Sequence, residues 1–152
     1  MTLLFEMPGG AEWIIIFAAI GLIFIPAIFY ILNLQSTLQE VSRENRTMPP
    51  ANVWLLLIPL FNLIWHFIVI KHMADSIRAE AMDRNVTLTE PHPAYNIGMA
   101  MCVLNILGII PGIGTLASLA CLVCWIIYWV KISNYKKLLK DNQFNTLGSA
   151  IQ

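Results

Sequence analysis

The chain has 152 residues, of which 58% are hydrophobic and 12% charged, and its mean hydropathy is +0.69. Soluble domains carry about 45–50% apolar and about 25% charged residues. The composition therefore excludes a disordered chain, a collagen-like fibre and a disulfide-stapled scaffold, and it speaks against a water-soluble domain. Nine Lys and Arg balance nine Asp and Glu, so no basic excess points to nucleic acid and no acidic tail to a basic partner.

The first apolar block begins after Glu12, and no charged residue follows until Glu40. A helix rises about 1.5 Å per residue, so crossing about 30 Å of hydrocarbon takes about 20 apolar residues. Residues 13–32 supply 20. The segment before them holds Glu6 and Glu12 but no Lys or Arg, and no small-residue cleavage site follows. We read a retained span rather than a signal peptide. Pro26 lies inside this span, where it frees the Leu22 carbonyl and predicts a kink. Residues 34–41 continue the helix as a short amphipathic tail, and RENRTMPPAN (43–52) is a loop.

The second block, 53–70, supplies 18 residues. Pro59 within it predicts a second kink, and Asn62 and His66 share one face. The helix is expected to run on through KHMADSIRAEAMDR (71–84), which has no proline or glycine and is rich in good helix formers. Lys71 with Asp75 and Glu80 with Arg84 are opposite charges four apart. Met73, Ala74, Ile77, Ala81 and Met82 form an apolar stripe at helical spacing. NVTLTEPHP (85–93) is a loop.

The third block is too long for one crossing. Pro111-Gly112-Ile113-Gly114 splits it, because proline stops a helix and glycine permits the reversal. The result is a hairpin of two short spans, 95–110 and 114–130. Gly98, Cys102 and Asn105 share a face of the first; Gly114, Ser118 and Cys121 share a face of the second, with Cys124 one step round. Cys121 and Cys124 form a C-x-x-C in the middle of an apolar helix, where a thiolate is disfavoured, so all three cysteines read as buried thiols. A helical extension over 131–141 carries the stripe Ile132, Tyr135 and Leu139. The tail from 142 is polar and expected to fray.

These readings give an all-α membrane protein forming one domain, with four transmembrane helices at about 13–32, 53–70, 95–110 and 114–130 and extensions of the second and fourth. The count is three if 95–110 is only re-entrant. Lys and Arg then set the orientation. With both termini cytoplasmic, seven lie inside (Lys71, Arg78, Arg84, Lys131, Lys136, Lys137, Lys140) and two outside (Arg43, Arg46). The first and second connections are thus expected on opposite sides of the membrane.

Polar groups in lipid are costly unless paired, so function is sought there first. Asn62, His66, Asn105 and Ser118 are expected to face the bundle interior, either bonding across helices or lining a small polar pocket or pore. His66 has no second intramembrane His and no carboxylate beside it in the spans, so no metal is expected. A haem or redox role is the remote third reading. There is no Gly-rich phosphate loop, no H-E-x-x-H and no nucleophile elbow, so we expect no catalytic residues, no enzyme and no cofactor. Met73, Ile77 and Met82 on the second helix, with Tyr135 and Leu139 on the fourth, either pack on each other or dock a partner.

Segment 45–80 (NRTMPPANVWLLLIPLFNLIWHFIVIKHMADSIRAE) has a recognisable layout: a basic-polar loop with proline, a helix patterned Trp–Ile-Pro–Asn-Leu–Trp, then a charged helical tail. In Pro49, Pro50, Trp54, Pro59, Asn62, Leu63 and Trp65 it resembles small uncharacterised bacterial membrane proteins of the domain-of-unknown-function kind. The resemblance covers about half the chain. It implies a four-helix protein of the bacterial inner membrane and carries no activity or catalytic residue. The function read from all this is a non-enzymatic integral membrane protein that forms a homo-oligomer or serves another membrane protein as subunit or adaptor. The alternative is a small oligomeric pore lined by Asn62 and His66.

Overall fold

The computed structural model describes residues 10–150, without the side chains of 10, 11, 19, 20, 23 and 144–150. Glu6, part of the argument against a signal peptide, lies outside the described residues. Among those described the chain is all-α. It comprises α1 (Gly10–Glu40), a 3-10 helix (Pro50–Leu57), α2 (Pro59–Asp83), α3 (Tyr95–Leu107) and α4 (Gly114–Ala150). Two compact units divide it, one ending at Tyr30 and one beginning at Ile31.

The first unit is the apolar portion of α1. Its helix runs uninterrupted through Pro26. Trp13 and Phe17, one turn apart, place their rings 6.1 Å from each other. Ile14, Ile15, Phe17 and Leu22 are exposed, Leu22 to 77%.

In the second unit the second expected helix is not one helix. Residues 50–57 form the 3-10 helix, Ile58 is extended (φ −84°, ψ 110°), and α2 begins at Pro59. The physical reason lies in Pro59. The ring disfavours the helical region for the residue before it, and its fixed φ and missing N–H suit the first position of a helix. Pro59 therefore starts a helix where the sequence suggested a kink within one. The 3-10 segment folds back along α2: the Trp65 indole N–H donates to the Asn52 carbonyl at 2.9 Å, while Val53 and Leu56 are buried.

The third span is also shorter than expected, since α3 has 13 residues, about 20 Å of rise. Gly108 to Ile113 make the reversal, with Gly112 at φ +96°. The helices approach so closely at its neck that a Cβ on Gly114 would lie 2.5 Å from the Gly108 carbonyl oxygen. The fourth helix is longer than expected, reaching Ala150 through a tail expected to fray. Among the described residues Gly114–Gln143 is the one segment long and apolar enough to cross a membrane, its most apolar stretch having a mean hydropathy of 1.9.

The core of the second unit takes in only part of its apolar stretches. Leu34 and Leu38 from the end of α1, Val41 just past it, Val69, Ile70, Met73 and Ile77 from α2, Met101 from α3, and Tyr128, Ile132 and Leu139 from α4 are all buried. Gly98 is the crossing point: a Cβ there would come within 2.8 Å of both Ile70 and Tyr128. Farther toward the two turns, Leu60, Ile64, Ile109, Leu116, Leu119 and Val123 are exposed, Leu60 to 85%.

One expected feature of the topology does not hold. The first connection (41–49) and the segment leading into the second lie at the same end of this unit. Asn45 Nδ2 donates to Glu80 at 2.7 Å, and the Thr47 N–H donates to Ser76 Oγ at 3.0 Å. The cause is the break before Pro59: the chain leaves and returns over the same short distance, so α2 ends where its connection began.

Candidate functional site

The end of the second unit that carries the charges is organised around Glu80, whose side chain is almost fully buried. The helical stripe of α2 places Glu80 inward beside Ile77 and Ala81. Its carboxylate accepts hydrogen bonds from Ser42 Oγ (2.6 Å), Asn45 Nδ2 (2.7 Å) and the Arg84 guanidinium, one turn on. Burial pushes the Glu80 carboxyl up. Donation from the Ser42 and Asn45 side chains, the Ser42 backbone and Arg84 outweighs it and holds the group below its ordinary value.

Arg84 extends the knot in two directions. It donates to the Glu40 carbonyl at 3.0 Å, at the end of α1, and to the Leu139 carbonyl at 2.8 Å on α4. One carboxylate and one guanidinium thus tie together the end of α1, the first connection, α2 and α4. Beside the knot, Thr47 Oγ1 donates to the His72 carbonyl at 3.0 Å and lies 2.9 Å from His72 Nδ1. Lys136 Nζ donates to Ser36 Oγ at 2.8 Å.

A second polar cluster closes the mouth of the α3–α4 hairpin. Glu90 pairs with Lys131 and accepts the Ala94 N–H at 3.1 Å, at the start of α3. The Lys131 hydrogen bond lowers the Glu90 carboxyl; partial burial opposes it, and the Ala94 N–H and the Lys131 charge add to the lowering. Between α2 and this loop lies an open cleft of about 390 Å³ lined by Arg78, Met82, Val86, Leu88 and Thr89 among others.

The four polar residues expected to converge inside the bundle do not do so. Asn62 and His66 are half-buried on α2, whereas Asn105 and Ser118 are exposed on the α3–α4 hairpin. Among the described residues the Asn62 Oδ1 is buried without a hydrogen-bond partner. Ser118, though exposed, turns its hydroxyl toward the neck of its own hairpin, where Oγ lies 3.0 Å from where a Gly108 Cβ would sit.

The apolar stripes exist as read, but they serve the fold. Met73, Ile77, Tyr135 and Leu139 are buried, so these residues are not available to a partner. Met82 alone of the five expected docking residues is exposed, at 63%. Two residues before it on α2, Glu80 takes an inward place beside Ala81. Cys102 is buried and Cys121 and Cys124 half-buried, all three as free thiols, with Cys121 Sγ 3.4 Å from the Met101 carbonyl. Among the described residues no three His, Cys, Asp or Glu side chains gather as a metal-ligand set.

Of the knot, only the Glu80–Arg84 pair has a sequence signal, the opposite charges four residues apart. Ser42, Asn45 and Thr47 sit in a connection whose partners are 25 to 38 residues on, a distance no local pattern spans. No protein family, curated protein or solved structure matches the chain.

Proposed function

We propose that this protein is a non-enzymatic integral membrane component that assembles with copies of itself or with another membrane protein. The observation that carries the reading is the inversion of the second unit. Its core gathers around the charge-bearing end, where Met73, Ile77, Ile132 and Leu139 pack with the adjoining ends of the apolar stretches, while Leu60, Ile64, Leu116, Leu119, Val123, Ile126 and Val130 stand exposed in two uncharged hairpins. Water penalises each exposed leucine or isoleucine by about 1.5–3 kcal/mol relative to burial, and a bilayer removes that penalty. Contiguous apolar surface on this scale marks a membrane or protein contact.

Assembly is supported by the exposure of Asn105 on an otherwise apolar hairpin. Lipid tails offer its side-chain amide no hydrogen-bond partner, whereas a neighbouring helix does. The nine Lys and Arg, all between residues 43 and 140, favour a cytoplasmic position for the charged end, as in an inner-membrane protein.

Extraction and native mass spectrometry test the reading. The chain is expected to stay in the membrane fraction at alkaline pH and, in mild detergent, to appear as more than one copy or with a co-purifying protein. Release by alkali, or a strict monomer without company, counts against it.

A further inference from the structure

We infer that segment 47–70 is a re-entrant hairpin that dips into one leaflet of a bilayer and returns to the face it came from, with hydrocarbon as the partner of its tip. The inference rests on the membrane reading above and adds the path of the chain.

Three contacts trace that path. At the base, Thr47 meets Ser76 and His72, its N–H donating to Ser76 Oγ at 3.0 Å and its hydroxyl to the His72 carbonyl at 3.0 Å. Midway, the Trp65 indole donates to the Asn52 carbonyl at 2.9 Å. At the tip, Ile58 and Pro59 join the two arms. The separation in sequence between paired residues shrinks steadily toward 58–59, which is the mark of a hairpin.

The arms match each other and a single leaflet in length. Eight 3-10 residues rise about 2.0 Å each, giving about 16 Å, and residues 59–70 of α2 give about 18 Å. Half of a hydrocarbon core about 30 Å thick is about 15 Å. The side chains agree with this depth. Ile58, Leu60, Phe61 and Ile64 around the tip are exposed, whereas Val69 and Ile70 at the base are buried in protein. Lys71, the first charged residue after Arg46, falls just past the base.

Pro59 has no backbone N–H to satisfy, and both backbone polar groups of Ile58 are bonded within the hairpin. The Ile58 N–H donates to Leu55 at 3.2 Å and its carbonyl accepts from the Asn62 N–H at 2.8 Å.

Charge placement follows the same path. A transmembrane crossing by 53–70 puts Arg43 and Arg46 on the face opposite Arg78 and Arg84. The re-entrant path puts all four on one face, together with Lys131, which is paired to Glu90. All nine Lys and Arg of the chain then share one side, the distribution that membrane insertion favours.

The test is sidedness. Glu44→Cys in the first connection and Thr87→Cys in the second both replace exposed residues. Each is probed in sealed vesicles of either orientation with a membrane-impermeant maleimide, with the unmutated chain as the blank for its three native thiols. Both sites are expected to label from the same face and to lose labelling in the opposite orientation. Arg43→Cys and Pro91→Cys, also exposed, repeat the measurement should either first variant fail to fold. Labelling of the two connections from opposite faces, in a chain that resists alkaline extraction, overturns the re-entrant path and leaves membrane residence standing. Release of the chain by alkali overturns both.

Discussion

Replacing Glu80 with alanine removes the acceptor on which Ser42, Asn45 and Arg84 converge. The Arg84 guanidinium keeps its two carbonyl contacts but loses its counter-ion in a place where its side chain is only 20% exposed. Breaking a buried pair by removing one member costs about 3–5 kcal/mol, because the remaining charge is left uncompensated. For a chain of this size about 2–4 °C of melting temperature goes with each kcal/mol, so Glu80→Ala should lower the midpoint by on the order of 10 °C. Five tryptophans make fluorescence in mild detergent the natural assay. Removing both charges tests the reasoning more sharply. Glu80→Met with Arg84→Met should melt higher than Glu80→Ala alone, since an apolar pair leaves no orphaned charge. A Glu80→Ala midpoint within about 2 °C of the parent, less than 1 kcal/mol at this chain length, would refute the account of the knot as the tie between the helices.

The same carboxylate sets a pH dependence. Its folded value lies below the ordinary 4.5, so its contribution is fully present above the unfolded value and is lost as pH falls through the folded one. Thermal midpoints should therefore drop as the buffer is taken below about pH 4.5, and Glu80→Gln should flatten that drop. Because Glu90 is lowered as well, part of the slope should persist in Glu80→Gln. The Glu90–Lys131 pair is about one-third exposed on each side, so Lys131→Met should cost no more than about 1 kcal/mol, an effect that shrinks with added salt. At the hairpin neck, Gly114→Ala pushes a methyl into the Gly108 carbonyl, a backbone atom unable to rotate aside; it should destabilise by about 1–3 kcal/mol in the same melt. Leu139→Ala should cost about 2–5 kcal/mol as a core truncation, whereas Met82→Ala, on the surface, should stay within about 0.5 kcal/mol. Equal losses at the two sites would contradict the assignment of the stripes to the interior.

Sequence periodicity and composition determined that this chain is helical, where the third block turns back, and that two stripes run past the apolar blocks. Those features are local: a Pro-Gly turn, opposite charges at i and i+4, and a spacing near 3.6 act over a few residues. The stripes Met73–Ile77–Ala81 and Ile132–Tyr135–Leu139 came through for that reason. The tertiary structure decided three further things. It turned Pro59 from a kink into a helix start, because the preceding segment folded back instead of stacking on. It brought residues 41–49 to Glu80, through hydrogen bonds between groups far apart in the chain. And it separated apolar residues buried in protein from those left bare. Hydropathy registers only the cost of meeting water; whether a leucine escapes it among other side chains, as Leu139 does, or is left outermost, as Leu60 is, depends on which surfaces the folded chain brings together.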